Sequence, residues 1–323
     1  MAHDSLMQGM SVHHLRFTVQ PTESIVFDAQ AGSALRGALY QSLSENFCSE
    51  PGIPLSPDHT EHCPVCWLLA AEDPNASRGE NIPRPLTVEP PVGNTLFHPS
   101  RSLAFGFSLI GKAQNLFPYL ARAVERMGRI GVGKGRGRFR LTGISEYSPL
   151  LDAERPLLNG RVVSAPTLQV TTPRVMEAAS TMPQARITLE LLTPLRLIKN
   201  EQLVKYPDPL TFLQRLLERC QGMVAYYADT PSSGIDTNAR WAAELDQIKN
   251  AAAGIRIAYD DTQWAEAHSG SRRQGRYTPI SGLVGTVRFE GDLSSVLPWF
   301  LWGASLHVEK NAVKGNGWYR IVR

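Results

Sequence analysis

Adding 180 to a residue number carries the segment KGRGRFR, Lys134 to Arg140, onto KGNGWYR, Lys314 to Arg320. The lysine, both glycines, the aromatic and the closing arginine recur. The same offset, without a gap, pairs Pro118 with Pro298, Tyr119 with Trp299 and Gly111 with Gly291. A constant offset sustained from Gly111 to Arg140 marks a duplicated unit. Whatever the first half builds, the second half must build again. A chain of 323 residues has room for two such units, each with its own core.

Hydrophobic periodicity supplies the elements of the unit. HLRFTVQ alternates Leu15, Phe17 and Val19 and predicts a strand. GSALRGALYQSL places Leu35, Leu39 and Leu43 at helical spacing. RPLTVEP is a weaker strand, and SLAFGFSLIG a strong one. NLFPYLARAVERMG is helical through Leu116, Leu120, Ala123, Val124 and Met127, with Gly128 suited to cap it. RFRLTGI returns to strand alternation. The second half repeats the plan with ARITLELL, the helix PLTFLQRLLERCQGMVAYY, then GTVRFEGDL, LPWFLWGASLHV and GWYRIVR. The order β-α-β-β-α-β is the ferredoxin-like split βαβ. The predicted fold is therefore α+β, with tandem ferredoxin-like domains. They span residues 1–150, with a cysteine-containing insertion, and 181–323. A Pro-rich linker of irregular pattern, 151–180, joins them.

The first glycine-rich segment, GRIGVGKGRGRF, fits G-x-x-x-x-G-K through Gly128, Gly133 and Lys134. Its context argues against a nucleotide-binding loop. Gly135 stands where such a loop carries Ser or Thr for magnesium, and the segment joins a helix to a strand rather than a strand to a helix. The cations offer another use. Arg129, Lys134, Arg136, Arg138 and Arg140 interleave with the glycines, and no acid falls among them. Glycines let backbone N–H groups approach a phosphate, and arginines give it paired donors. Net charge is only +3, so nucleic-acid binding must rest on such local patches. Lys134, Arg136 and Arg138 are candidate RNA contacts in the first loop, and Lys314, Gly315 and Gly317 in the second. Arg272 and Arg273, in the basic segment SRRQGRYTP, join them, while Trp318 and Tyr319 could stack on bases.

The N-terminus lacks the apolar core of a secretory signal, and the most apolar segment, VLPWFLWGASL, is too short to span a bilayer. Four cysteines do not make a disulfide framework at this length. These features predict a soluble, cytoplasmic protein with no membrane partner. Cys63 and Cys66 form C-x-x-C, half of a zinc site. Cys48 lies upstream, and His59 or His62 could add a fourth ligand. The predicted set is Cys48, Cys63, Cys66 and His62, for a structural zinc; the competing reading is three reduced thiols in the core.

Two ferredoxin-like units, each with a Gly-Lys loop before its last strand, resemble the CRISPR-associated RAMP endoribonucleases that process precursor CRISPR RNA. ALRGAL at 34–39, CPVCWLL at 63–69, GVGKGRGRF at 131–139 and LHVEKNAVKGNGWYRI at 306–321 carry the resemblance. It implies cleavage within CRISPR repeats by the substrate's own 2′-hydroxyl, with no metal cofactor, to give guide RNAs. It also implies CRISPR repeat RNA as partner and other CRISPR effector subunits as possible associates. The glycine motifs are shared with purely RNA-binding members, so a non-catalytic subunit is the alternative. Relatives place a catalytic histidine on or near the first helix. Here that helix has none and offers Arg36 and Tyr40. His307, with Lys310 three residues on and the glycine loop next, is the expected base, because imidazole titrates near neutrality.

Overall fold

The computed structural model describes residues 6–51, 57–71, 82–93, 95–229, 235–271 and 276–322. The first half runs β1 (Ser11–Pro21), α1 (Ala31–Phe47), the short helices α2 (Pro57–His62) and α3 (Pro64–Leu69), β2 (Leu86–Glu89), β3 (Leu103–Ile110), α4 (Phe117–Ile130), β4 (Phe139–Ser148) and β5 (Ala153–Pro156). Its strands are antiparallel, in the order β2-β3-β1-β4-β5. Helix α5 (Thr172–Thr181) leads into the second half: β6 (Arg186–Leu195), α6 (Pro209–Tyr227), α7 (Ile235–Ala253), β7 (Arg256–Asp260), β8 (Gly282–Glu290), α8 (Leu297–Leu306) and β9 (Tyr319–Val322). That sheet is again antiparallel, in the order β7-β8-β6-β9. In both halves the first strand is central, with β4 in the first and β9 in the second paired beside it, which is the ferredoxin-like arrangement; β5 extends the first sheet beyond β4.

The alternation on β1 turns Leu15, Phe17 and Val19 into one core, where they meet Leu35 and Leu39 of α1 and Leu120 and Val124 of α4. The second core is built on Phe212, Phe289, Phe300 and Tyr319. Every residue of α8 is buried, since α5, α6 and the sheet surround it. An apolar run of that kind is a core helix, and no described helix is long and apolar enough to cross a membrane.

Several expectations change. Residues 151–180 are ordered rather than irregular: β5 extends the first sheet, Val170–Thr171 pairs with β1, and α5 packs against α8. Polar edge strands lack the alternation that marks buried ones. Gly128 lies inside α4, and Gly131, at φ 83°, caps it; a Cβ at Gly128 would overlap the Phe139 carbonyl. The halves interlock. The second glycine loop rests on α1 and β2 of the first half, and Tyr227 Oη donates to the Pro83 carbonyl at 2.6 Å.

Candidate active site

Both glycine loops converge on α1. In the first, Lys134 N–H donates to the Val26 carbonyl at 2.8 Å and Val132 N–H to that of Gly137 at 3.0 Å. Gly133 and Gly137 are glycines because the backbone of residues 24–26 passes where a Cβ would be; only Gly135 has open space around it. Lys134, Arg136 and Arg138 remain exposed. Arg136 Nη2 donates to Gln41 Oε1 on α1 at 3.4 Å, and Arg138 Nε lies 4.0 Å from a Glu23 oxygen. Lys134 also borders a cavity of about 310 Å³ with Asp28, Gln30 and Ser33 at the start of α1.

The second loop is a one-turn 3₁₀ helix, Lys310–Lys314, followed by Gly315 at φ 88° and Gly317 at φ 67°. A side chain on Gly317 would overlap the Val308 carbonyl. Gly32 on α1 is required for the docking itself, since a Cβ there would overlap the Lys314 carbonyl. This close approach sets Lys314 beside Arg36. Burial pushes the Lys314 ammonium below the usual lysine range, the Arg36 charge pushes it further, and Glu309 opposes the shift. Arg36 Nη2 is held by the Leu69 carbonyl at the end of α3, at 2.9 Å. Tyr40 lies one turn along α1 from Arg36, and Gly37 between them leaves its surroundings open. Two cations from opposite halves of the chain are thus brought together and drawn partly out of water.

His307 is placed elsewhere. It caps α8 at φ 60°, is wholly buried, and stacks on Trp318 with ring centroids 6.0 Å apart. Burial lowers its pKa to about 3, and Arg219 and His14 add to the shift against the pull of Glu89. A ring shut off from solvent cannot reach a 2′-hydroxyl, so its expected role as base is withdrawn. Its surroundings are a buried polar cluster between the halves. There His14 Nδ1 lies 3.0 Å from Glu89 Oε1, Ser108 Oγ donates to the same oxygen at 3.0 Å, and Tyr147 Oη donates to Glu89 Oε2. Burial works against the Glu89 carboxylate, but His14, His307 and Tyr147 together outweigh it and the pKa is lowered. The alternation on β1 does not disclose His14, which lies on the face opposite Leu15 and Phe17, polar in pattern yet buried in the fold. Tyr319 is likewise in the core, donating to the Phe300 carbonyl at 2.5 Å, so only Trp318 keeps partial exposure. Arg272 and Arg273 lie outside the described residues, as does the Lys310 side chain.

The cysteines gather as expected, with one change of partner. Cys48, Cys63 and Cys66 meet His59, all four ligand atoms lying within 4.8 Å of one another. His62, the predicted ligand, is exposed and turns its Nδ1 to the Asp58 carbonyl at 2.9 Å. His59 precedes Cys63 by four residues, one helical turn, whereas His62 adjoins Cys63 and projects to the other side.

Paired ferredoxin-like domains with a glycine loop of the second docked on the first helix define a RAMP-type protein. Family comparison carries this further: residues 189–319 match CRISPR-associated endoribonuclease Cas6, and residues 10–170 match AF_1859_N, described as an N-terminal domain. Residues 189–319 thus carry the domain of the Cas6 CRISPR-associated endoribonucleases, and the findings support a Cas6-type RAMP endoribonuclease. Among solved structures it is similar to a Cas6 product complex, with 14% identity and a TM-score of 0.56 over 96% of this chain and 100% of that one. Thermus thermophilus Cas6 gives 13% and 0.54, covering 97% and 99%. A partial Cas6-RT-Cas1–Cas2 complex gives 13% and 0.62, covering 98% of this chain and 47% of the longer one. No curated protein sequence matches significantly.

Proposed function

We propose that the chain cleaves precursor CRISPR RNA within its repeats, at the junction of α1 and the second glycine loop. The observation that supports this reading is the approach of the second loop to α1, which sets Lys314 beside Arg36 as two partly buried cations. In the proposed step the 2′-oxygen loses its proton and attacks the adjacent phosphorus. The bond from phosphorus to the 5′-oxygen breaks, and that oxygen takes up a proton. The products are a 2′,3′-cyclic phosphate and a 5′-hydroxyl. Arg36 and Lys314 stabilise the charge that develops on the phosphoryl oxygens, where preorganised donors are worth several kcal/mol. Tyr40 and Lys314 are the proton-exchanging groups beside the phosphate, and a lysine of lowered pKa serves that role more readily than an ordinary one. Lys134, Arg136 and Arg138 guide the strand along the other side of α1. The route calls on no metal, and the cysteine–histidine cluster supplies no group to it. Association with other CRISPR subunits would leave this site unchanged.

Cognate repeat RNA incubated in EDTA should be cut, with end-group analysis finding cyclic phosphate and 5′-hydroxyl. Arg36→Ala and Lys314→Ala should each slow single-turnover cleavage by roughly a hundredfold while RNA affinity changes much less. Wild-type protein that binds the RNA and never cuts it would leave the chain as an RNA-binding subunit.

A further inference from the structure

We propose that Cys48, His59, Cys63 and Cys66 hold a structural zinc ion, and that this ion fixes the position of Arg36. A tetrahedral zinc with Zn–S of about 2.3 Å and Zn–N of about 2.0–2.1 Å has sulfur–sulfur edges of about 3.8 Å and sulfur–nitrogen edges of about 3.6 Å. The site already has these dimensions. Cys48 and Cys66 Sγ are 3.9 Å apart, and His59 Nε2 is 3.4 Å from each of them. A disulfide would need sulfurs about 2.05 Å apart, and all four cysteines of the chain are free. Packing as small apolar groups accounts for three sulfurs together. It does not account for an imidazole nitrogen aimed between them.

The other side of that ring supports the assignment. Glu50 Oε2 lies 3.7 Å from His59 Nδ1. A carboxylate at this range favours a proton on Nδ1 and so leaves Nε2 for the metal, the side on which a zinc-bound histidine usually has its outer partner being the other nitrogen. Cys63 and Cys66 are buried, and four protein ligands close the coordination sphere, so the ion is structural rather than catalytic.

The ligands come from the end of α1, from α2 and from the first turn of α3. The ion therefore ties α3 to the helix that carries Arg36. The carbonyl of Leu69, the last residue of α3, accepts the hydrogen bond from Arg36 Nη2. Arg36 is positioned through α3, and α3 through the metal. This second link rests on the proposed cleavage site; the zinc assignment does not.

Metal analysis of the wild-type protein, purified without chelator and with no RNA present, should find one zinc per chain. Cobalt exchanged into the site should give the visible d–d bands of a tetrahedral thiolate complex. His62→Ala should keep the metal and Cys66→Ser should lose it. Glu50→Gln, which leaves every ligand in place, should weaken zinc ten- to a hundredfold in competition with a chromophoric chelator. Wild-type protein free of zinc, without the cobalt bands and with its thiols reacting at once under native conditions, would overturn the site. For the link to Arg36, stripping zinc should slow cleavage by the wild type but not slow Arg36→Ala further. An unchanged wild-type rate after stripping would overturn the link.

Discussion

His307 and Glu309 stand two residues apart, both buried, and burial moves their protonation in opposite directions. Burial lowers the His307 pKa from 6.5 to about 3 and raises that of Glu309 from 4.5 to about 8. The signs follow from proton linkage. For His307 the unfolded state binds more protons below pH 6.5, so the folded state loses stability as pH falls. For Glu309 the folded state keeps a proton that the unfolded state releases, so stability is lost as pH rises from 4.5 towards 8. Between pH 5 and 6.5 the two slopes are each about 1.4 kcal/mol per pH unit and nearly cancel. Each substitution should expose the other slope. Relative to wild type, His307→Phe should gain about 2 kcal/mol of stability on going from pH 6.5 to pH 5, and Glu309→Gln should lose about as much. Denaturant melts at the two pH values check this. Parallel shifts in both variants would show that the two groups do not titrate as their burial requires. His307 also shows where residue-scale reading of the sequence stops. Proximity to a cation and a glycine loop was legible; the direction of the side chain at a helix cap with φ 60° was not.

Among the elements, α1 decides the site, and Gly32 decides where α1 and the second loop meet. An alanine there would push its Cβ into the Lys314 carbonyl. Since backbone cannot yield as a flexible side chain does, the loop must lift. Gly32→Ala should cost about 1–3 kcal/mol in stability and part Lys314 from Arg36, so cleavage should fall more steeply than the melt predicts. Gly135→Ala is the control. It carries the strain of φ 85° in open space, about 1–2 kcal/mol, and leaves the Arg36 site alone. Equal cleavage by the two variants would separate the docking from the chemistry. Elements were legible in proportion to their periodicity. The helix read from PLTFLQRLLERCQGMVAYY is α6, end to end. Helix α7 was missed because its small and polar residues dilute the apolar stripe, though Trp241 and Ile248 bury their side chains and Glu244 holds Trp299 Nε1 at 2.9 Å. Strand β7, RIAYD, was missed because it is an exposed edge with no buried face to alternate. The repeat nevertheless required a strand there.

At the scale of the whole molecule, the duplication announced two similar halves but not how they dock. That depends on surfaces such as Gly32 against Lys314, which no periodicity records. The docking brings the first loop's cations and the Arg36–Lys314 pair to the same helix, so a protein of net charge +3 gathers several cations along α1. RNA affinity should therefore come from few phosphate contacts, each releasing counterions. For single strands each contact contributes about 0.7 to the slope of log affinity against log salt. Replacing Arg136 and Arg138 together with alanine should flatten that slope by up to about 1.4 and weaken binding across unrelated sequences alike. Arg256→Ala, which removes an exposed arginine paired with Glu290 on the far edge of the second sheet, should change neither. The slope discriminates better than affinity alone, because a loop that merely unfolded would weaken binding without removing a fixed number of counterions. Titrations of repeat RNA at several salt concentrations make the comparison, and a slope left unchanged by the double substitution would remove the first glycine loop from the RNA path.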